Sequence, residues 1–161
     1  MMKRLATALF LILPSLAFGH DIWIQTNTNL VRAGDAVHVD LMLGNHGNEH
    51  RDFKLAGKLA PGANALVVID PDGEEYDLAG SLADVGYSPQ EGFWSARFDT
   101  AKPGTYLAAH RSDRVMSYAP ERSIKSAKAL FVAAKSLDRP TAENPGFDRV
   151  LGHALELVPV A

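Results

Sequence analysis

Apolar and polar positions alternate along most of this chain with a period of two, and helical periodicity is almost absent. Val37, Val39, Leu41 and Leu43 interleave with His38, Asp40 and Met42, the pattern of a strand with one buried face. Ile22-Trp23-Ile24 reads as an earlier strand. Ala65 to Ile69 runs into Asp70-Pro71-Asp72-Gly73, a turn in which proline presets φ and glycine accepts a positive one, and Glu75 to Leu78 returns from it. Gly92 to Phe98 is a further strand. Lys102-Pro103-Gly104 then turns the chain into Thr105 to Arg111, and a Pro-Gly turn feeding a tyrosine-bearing strand is common in sandwich domains. Ala127 to Ala133 and Ala154 to Val158 complete about eight strands. The spacing predicts an all-β, antiparallel, immunoglobulin-like β-sandwich.

Two stretches resist a strand assignment. Asn45 to Asn64 is polar, glycine-bearing and carries two histidines, and Ser112 to Ser126 mixes charges with Met116 and Tyr118. Both read as long loops, the places where function concentrates in a compact domain. Residues 135 to 149 form a polar connector with Pro140 and Pro145. No repeat or low-complexity tract is present.

The beginning of the chain changes the picture. Met1 to Arg4 is a basic stretch, Leu5 to Leu13 an apolar core, and Pro14 to Gly19 a small-residue exit, which together read as a cleaved secretory signal over residues 1–19. The apolar run is about half of the ~20 residues a spanning helix needs, and Pro14 interrupts it. Cleavage after Ala17 would leave Phe18-Gly19 on the product. The A-x-G pattern of Ala17 and Gly19 favours cleavage before His20, which gives a periplasmic protein with residues 20–161 as one domain and no membrane anchor. Removal of the leader takes Lys3 and Arg4 and no acid, leaving 14 basic against 19 acidic residues and no suggestion of nucleic acid.

Cleavage at that point places a free α-amine and an imidazole on one residue, a ready metal chelate. With no cysteine in the chain, a metal would be held by nitrogen and oxygen. Six histidines are the remaining clue. His46 and His50 lie in a glycine-bearing segment with Glu49, and a loop of that composition can fold both imidazoles around one ion or simply be a solvated polar loop. His20 with one or two further nitrogens makes a site suited to late first-row metals. Asp21 adds an oxygen ligand or orients the His20 ring, and His110 reaches the cluster if its strand lies next to the first. His38 alternates away from the apolar face of its strand, and His153 reads as structural. Trp23 and Trp94 read as core aromatics, and Met42 and Met116 as packing residues. Ser112, Ser117 and Ser123 show no nucleophile elbow, and no phosphate loop or paired-carboxylate arrangement supports conventional catalysis.

His20 to Ile24, Ala33-Gly34-Asp35, Lys102 to Tyr106, Ser126 to Leu130, and Phe147 to Pro159 together resemble an uncharacterised periplasmic family described as nickel uptake substrate-specific region. The resemblance covers nearly all of residues 20–161. It implies an extracytoplasmic companion of nickel or cobalt importers of the energy-coupling-factor type, with immunoglobulin-like domains. The positions it marks are His20, Asp21, His46 and His50. Longer relatives continue past the Leu155 to Pro159 segment into a second β-domain, so the expectation here is a soluble carrier that delivers nickel or cobalt to a membrane importer complex. Two alternatives stay open: a copper protein with a histidine brace, either a carrier resembling periplasmic copper-resistance sandwiches or an oxidative enzyme resembling lytic polysaccharide monooxygenases, and an interaction domain whose histidines are incidental.

Overall fold

Val37, Val39, Leu41 and Leu43 are each at most 2 % exposed, so the alternation over this stretch has one face to bury and buries it. The computed structural model describes residues 21–44, 66–86, 91–117, 120–138 and 146–160. Its strands are β1 (Asp21–Thr26), β2 (Leu30–Arg32), β3 (Ala36–Gly44), β4 (Val67–Ile69), β5 (Glu75–Asp77), β6 (Ala83–Gly86), β7 (Gly92–Asp99), β8 (Gly104–Val115) and β9 (Arg122–Ala134). One sheet has the order β1-β3-β7-β6 and the other β2-β9-β8-β4-β5. Lettered A to G along the chain, with β2 as the second half of A and β5 as an added C′ strand, these are the ABED and GFC sheets of the immunoglobulin sandwich.

The sandwich is antiparallel, as expected, at every pairing but one. Residues 27–29 carry the chain from one sheet to the other, and β2 then runs parallel to β9, with Leu30 opposite Val132. β1 and β9 already run the same way on facing sheets, so a strand that continues the direction of β1 can only meet β9 in parallel.

The start of β8 is pinned by a tyrosine corner. Tyr106, 1 % exposed, donates its hydroxyl to the Lys102 carbonyl at 2.9 Å and accepts the amides of Lys102 at 3.0 Å and Ala101 at 3.3 Å. Its ring stacks on Phe131 at 5.1 Å, and Phe98 meets both edge-on at 5.7 and 6.4 Å. Tyr106→Phe keeps that packing and strands three main-chain groups, so a loss of about 1–2 kcal/mol is expected in urea unfolding, with an unchanged slope.

The Asp70–Gly73 turn forms as its residues predict. Gly73 has φ +95°, and the buried Asp70 carboxylate accepts the amides of Asp72 and Glu74, both at 2.9 Å. Burial pushes the Asp70 carboxyl up, but the Glu74 amide and the Lys102 ammonium outweigh it and hold the group below its usual range.

Two expectations are corrected. Ser112–Ser126 is no long loop: the ladder continues from Arg111↔Ser126 to Val115↔Arg122, braced by a bidentate Arg122–Asp113 pair with Nε donating at 2.7 Å. Ala154–Val158 is no strand: it has no ladder partner among the described residues. It belongs instead to a strap, residues 146–160, that crosses the outer face of the five-stranded sheet.

The strap is tied at two points. The Arg149 guanidinium donates to the carbonyls of Asp70 at 3.2 Å and Pro71 at 3.1 Å. Glu156, 7 % exposed, pairs with Lys128 of β9 at 2.7 Å and accepts the amides of Leu151, Gly152 and His153. Under this strap Leu107 and Ala109, on the face of β8 opposite Tyr106, are only 1 % and 5 % exposed.

Candidate functional site

The register of the first sheet decides where the candidate ligands can meet. Asp21, the first residue of β1, is directly opposite Gly44, the last residue of β3. The chain therefore comes into β1 and leaves β3 at one end of the sandwich, side by side. β7 returns to the opposite end, where residues 100–103 turn into β8, so β8 runs back toward the Asp21–Gly44 end. His110 sits on that outward course, past the core residues Tyr106 and Ala108 and on the same face of the strand.

Asp21 and His110 thus share an end of the fold without sharing an environment. Asp21 is exposed at the tip of an edge strand, whereas His110 is 3 % exposed and turned between the sheets. Among the described residues no group of three or more His, Cys, Asp or Glu side chains is placed to hold a metal ion. The other expected ligands, His20, His46 and His50, lie outside the described residues.

The two weaker histidines fall on the surface and beneath the strap. His38 is exposed on the outer face of β3, opposite Arg97, as its alternation implies. His153 lies in the strap rather than on a strand. Burial, then Lys128 and Arg111, lower its imidazole below the ordinary range, against the opposing charge of Glu156. Trp94 packs half-buried against the core, and Trp23 stands half-buried on the outer face beside Met42, its cross-strand partner.

Sequence reasoning missed the Lys128–Glu156 pair and the cavities that the strap forms with the sheet. One cavity of about 580 Å³ lies between residues 126–130 and 155–159, and another of about 320 Å³ lies over β4 and β8. The available signal was Glu156 itself. An acid set between Leu155 and Leu157 in an otherwise apolar run needs a partner if it is to turn inward.

A family model described as a domain of unknown function (DUF4198) matches residues 17–161. No curated protein matches the chain.

Proposed function

The chain belongs to the DUF4198 family, and we propose that it is an exported transition-metal-binding protein that captures nickel or cobalt for a membrane importer. The observation that supports this reading is the pairing of Asp21 with Gly44. Opposed residues of an antiparallel pair lie about 4.5–5.5 Å apart. In the sequence His20 directly precedes Asp21, and His46 follows Gly44 by two residues. His50 follows within the same segment. A leader cleaved before His20 would release the α-amine at this end of the sandwich, in the periplasm. Among the described residues no helix is long and apolar enough to cross a membrane.

In this proposal the His20 amine and imidazole chelate the ion, His46 and His50 add nitrogens, and Asp21 supplies an oxygen or orients the His20 ring. His110 faces the interior at the same end and completes the set only if the ion sits between the sheets. All the nitrogen donors must be deprotonated, so affinity falls as pH drops through about 8 to 6, the span of unperturbed α-amine and imidazole groups.

Native mass spectrometry of the exported, processed protein tests the reading. A mass beginning at His20 with one nickel or cobalt ion is expected, and His20→Ala should weaken nickel binding about tenfold or more in isothermal titration. Unchanged affinity in that variant would overturn the site. One copper ion in protein taken directly from the periplasm would reassign the cargo, since nitrogen sites prefer copper in vitro whatever their role.

A further inference from the structure

The smaller of the two cavities described above, about 320 Å³, is bordered by His110 of β8, but its charged groups, Arg111, Arg149, His153 and Glu75, are not among the metal ligands proposed above. Its floor is apolar: Val67 and Ile69 of β4 and Ala109 of β8, all on the outer face. Its rim is cationic. Arg111 stands at the β8 end, with Arg149 and His153 on the strap side and a single acid, Glu75, on β5.

The rim groups are not equally occupied. Arg149 is committed to the Asp70 and Pro71 carbonyls. The Arg111 guanidinium and the His153 imidazole make no hydrogen bond or ion pair with another described residue. Arg111 is also on the opposite face of β8 from His110, so the cavity and the sandwich interior are separate surfaces of one strand.

We infer that this cavity binds a small organic carboxylate, with Arg111 forking its two oxygens and the Val67–Ile69–Ala109 floor holding a short hydrocarbon tail. A guanidinium is the side chain that meets a carboxylate with two parallel hydrogen bonds, and His153 offers a further donor beside it. Glu75 on the rim disfavours a dianion such as phosphate. The volume lies at the small end of ligand pockets, which fits a tail of a few carbons.

Isothermal titration of the processed chain with acetate, butyrate and hexanoate, with methyl butyrate and inorganic phosphate as controls, tests the assignment. Affinity should rise from acetate to butyrate, vanish for the uncharged ester, and fall about tenfold or more in Arg111→Gln. Arg111 is exposed, so that variant should melt at the parent temperature. The chain-length dependence tests the floor without any substitution. Equal binding by phosphate, an affinity independent of tail length, unchanged affinity in Arg111→Gln, or no saturable binding by any carboxylate would each overturn the inference.

Discussion

Glu156→Ala is expected to release the strap and to lower stability on the order of 3 kcal/mol, the cost typical of leaving one partner of a buried ion pair uncompensated. The Glu156 carboxylate is 7 % exposed and Lys128 11 %, and the pair is supplemented by three strap amides, so the substitution removes both a countercharge and a main-chain cap. Lys128→Met separates the two roles. It leaves Glu156 with its amide donors and removes the ammonium, so it should cost less than Glu156→Ala in the same urea titration. Hydrogen exchange at Leu151, Gly152 and His153 should accelerate in Glu156→Ala in particular.

The acid dependence follows from the same group. Burial pushes the Glu156 carboxyl up, but Lys128 and the strap amides more than reverse this and bring it down to about 2, against 4.5 for an unperturbed glutamate. A carboxylate whose folded value is depressed contributes fully above the unfolded value and loses that contribution as pH falls through the folded one. Strap docking should therefore weaken between about pH 4.5 and pH 2, a loss that Glu156→Ala does not show.

Phe131→Ala carries the other large effect, about 3–5 kcal/mol, because it opens a cavity at the centre of the aromatic cluster. Phe131 is 1 % exposed, stacks on Tyr106 with an interplanar angle of 9°, and meets Phe98 edge-on. Tyr106 is fixed by its three hydroxyl contacts, and the Phe98 ring is held edge-on against Tyr76 and Tyr106, which limits how far either can move into the space. Phe131→Leu should lose substantially less in the same unfolding experiment, since it restores most of the volume and none of the stacking. Equal losses for the two variants would show that ring geometry, not filled space, is what matters here.

How much of this was legible in the residues depends on whether an element buries one face. β3 was, because Val37, Val39, Leu41 and Leu43 all point into the core and His38 does not. The far half of the β8–β9 hairpin was not. Arg111 to Val115 opposite Arg122 to Ser126 has no buried side, so alternation leaves no hydrophobic trace, and its ladder is an extension of pairing set deeper in the sheet. β2 and β6 were missed for related reasons, one being three residues long and the other exposed along its whole length.

Ala154 to Val158 failed in the opposite direction. Its alternation is real, but Leu155 and Leu157 are 84 % and 88 % exposed and Glu156 is the residue turned inward. Periodicity assigned the leucines to the buried face, and a specific charge pair overrode hydropathy. The candidate site was legible as residue types, and its placement was not. His20 next to a first strand says nothing of which strand lies beside it, and only the Asp21–Gly44 register brings the ends of β1 and β3 together.

The crossing at residues 27–29 makes the first twelve described residues a covalent suture between the two sheets. β1 is laced to β3 in one layer and β2 to β9 in the other, with three residues between the seams. Sliding or splaying one layer against the other would have to stretch that short link or rip out one of the ladders. Parting the layers along this flank therefore costs a ladder as well as side-chain packing, and the three-residue β2–β9 seam is the shorter of the two.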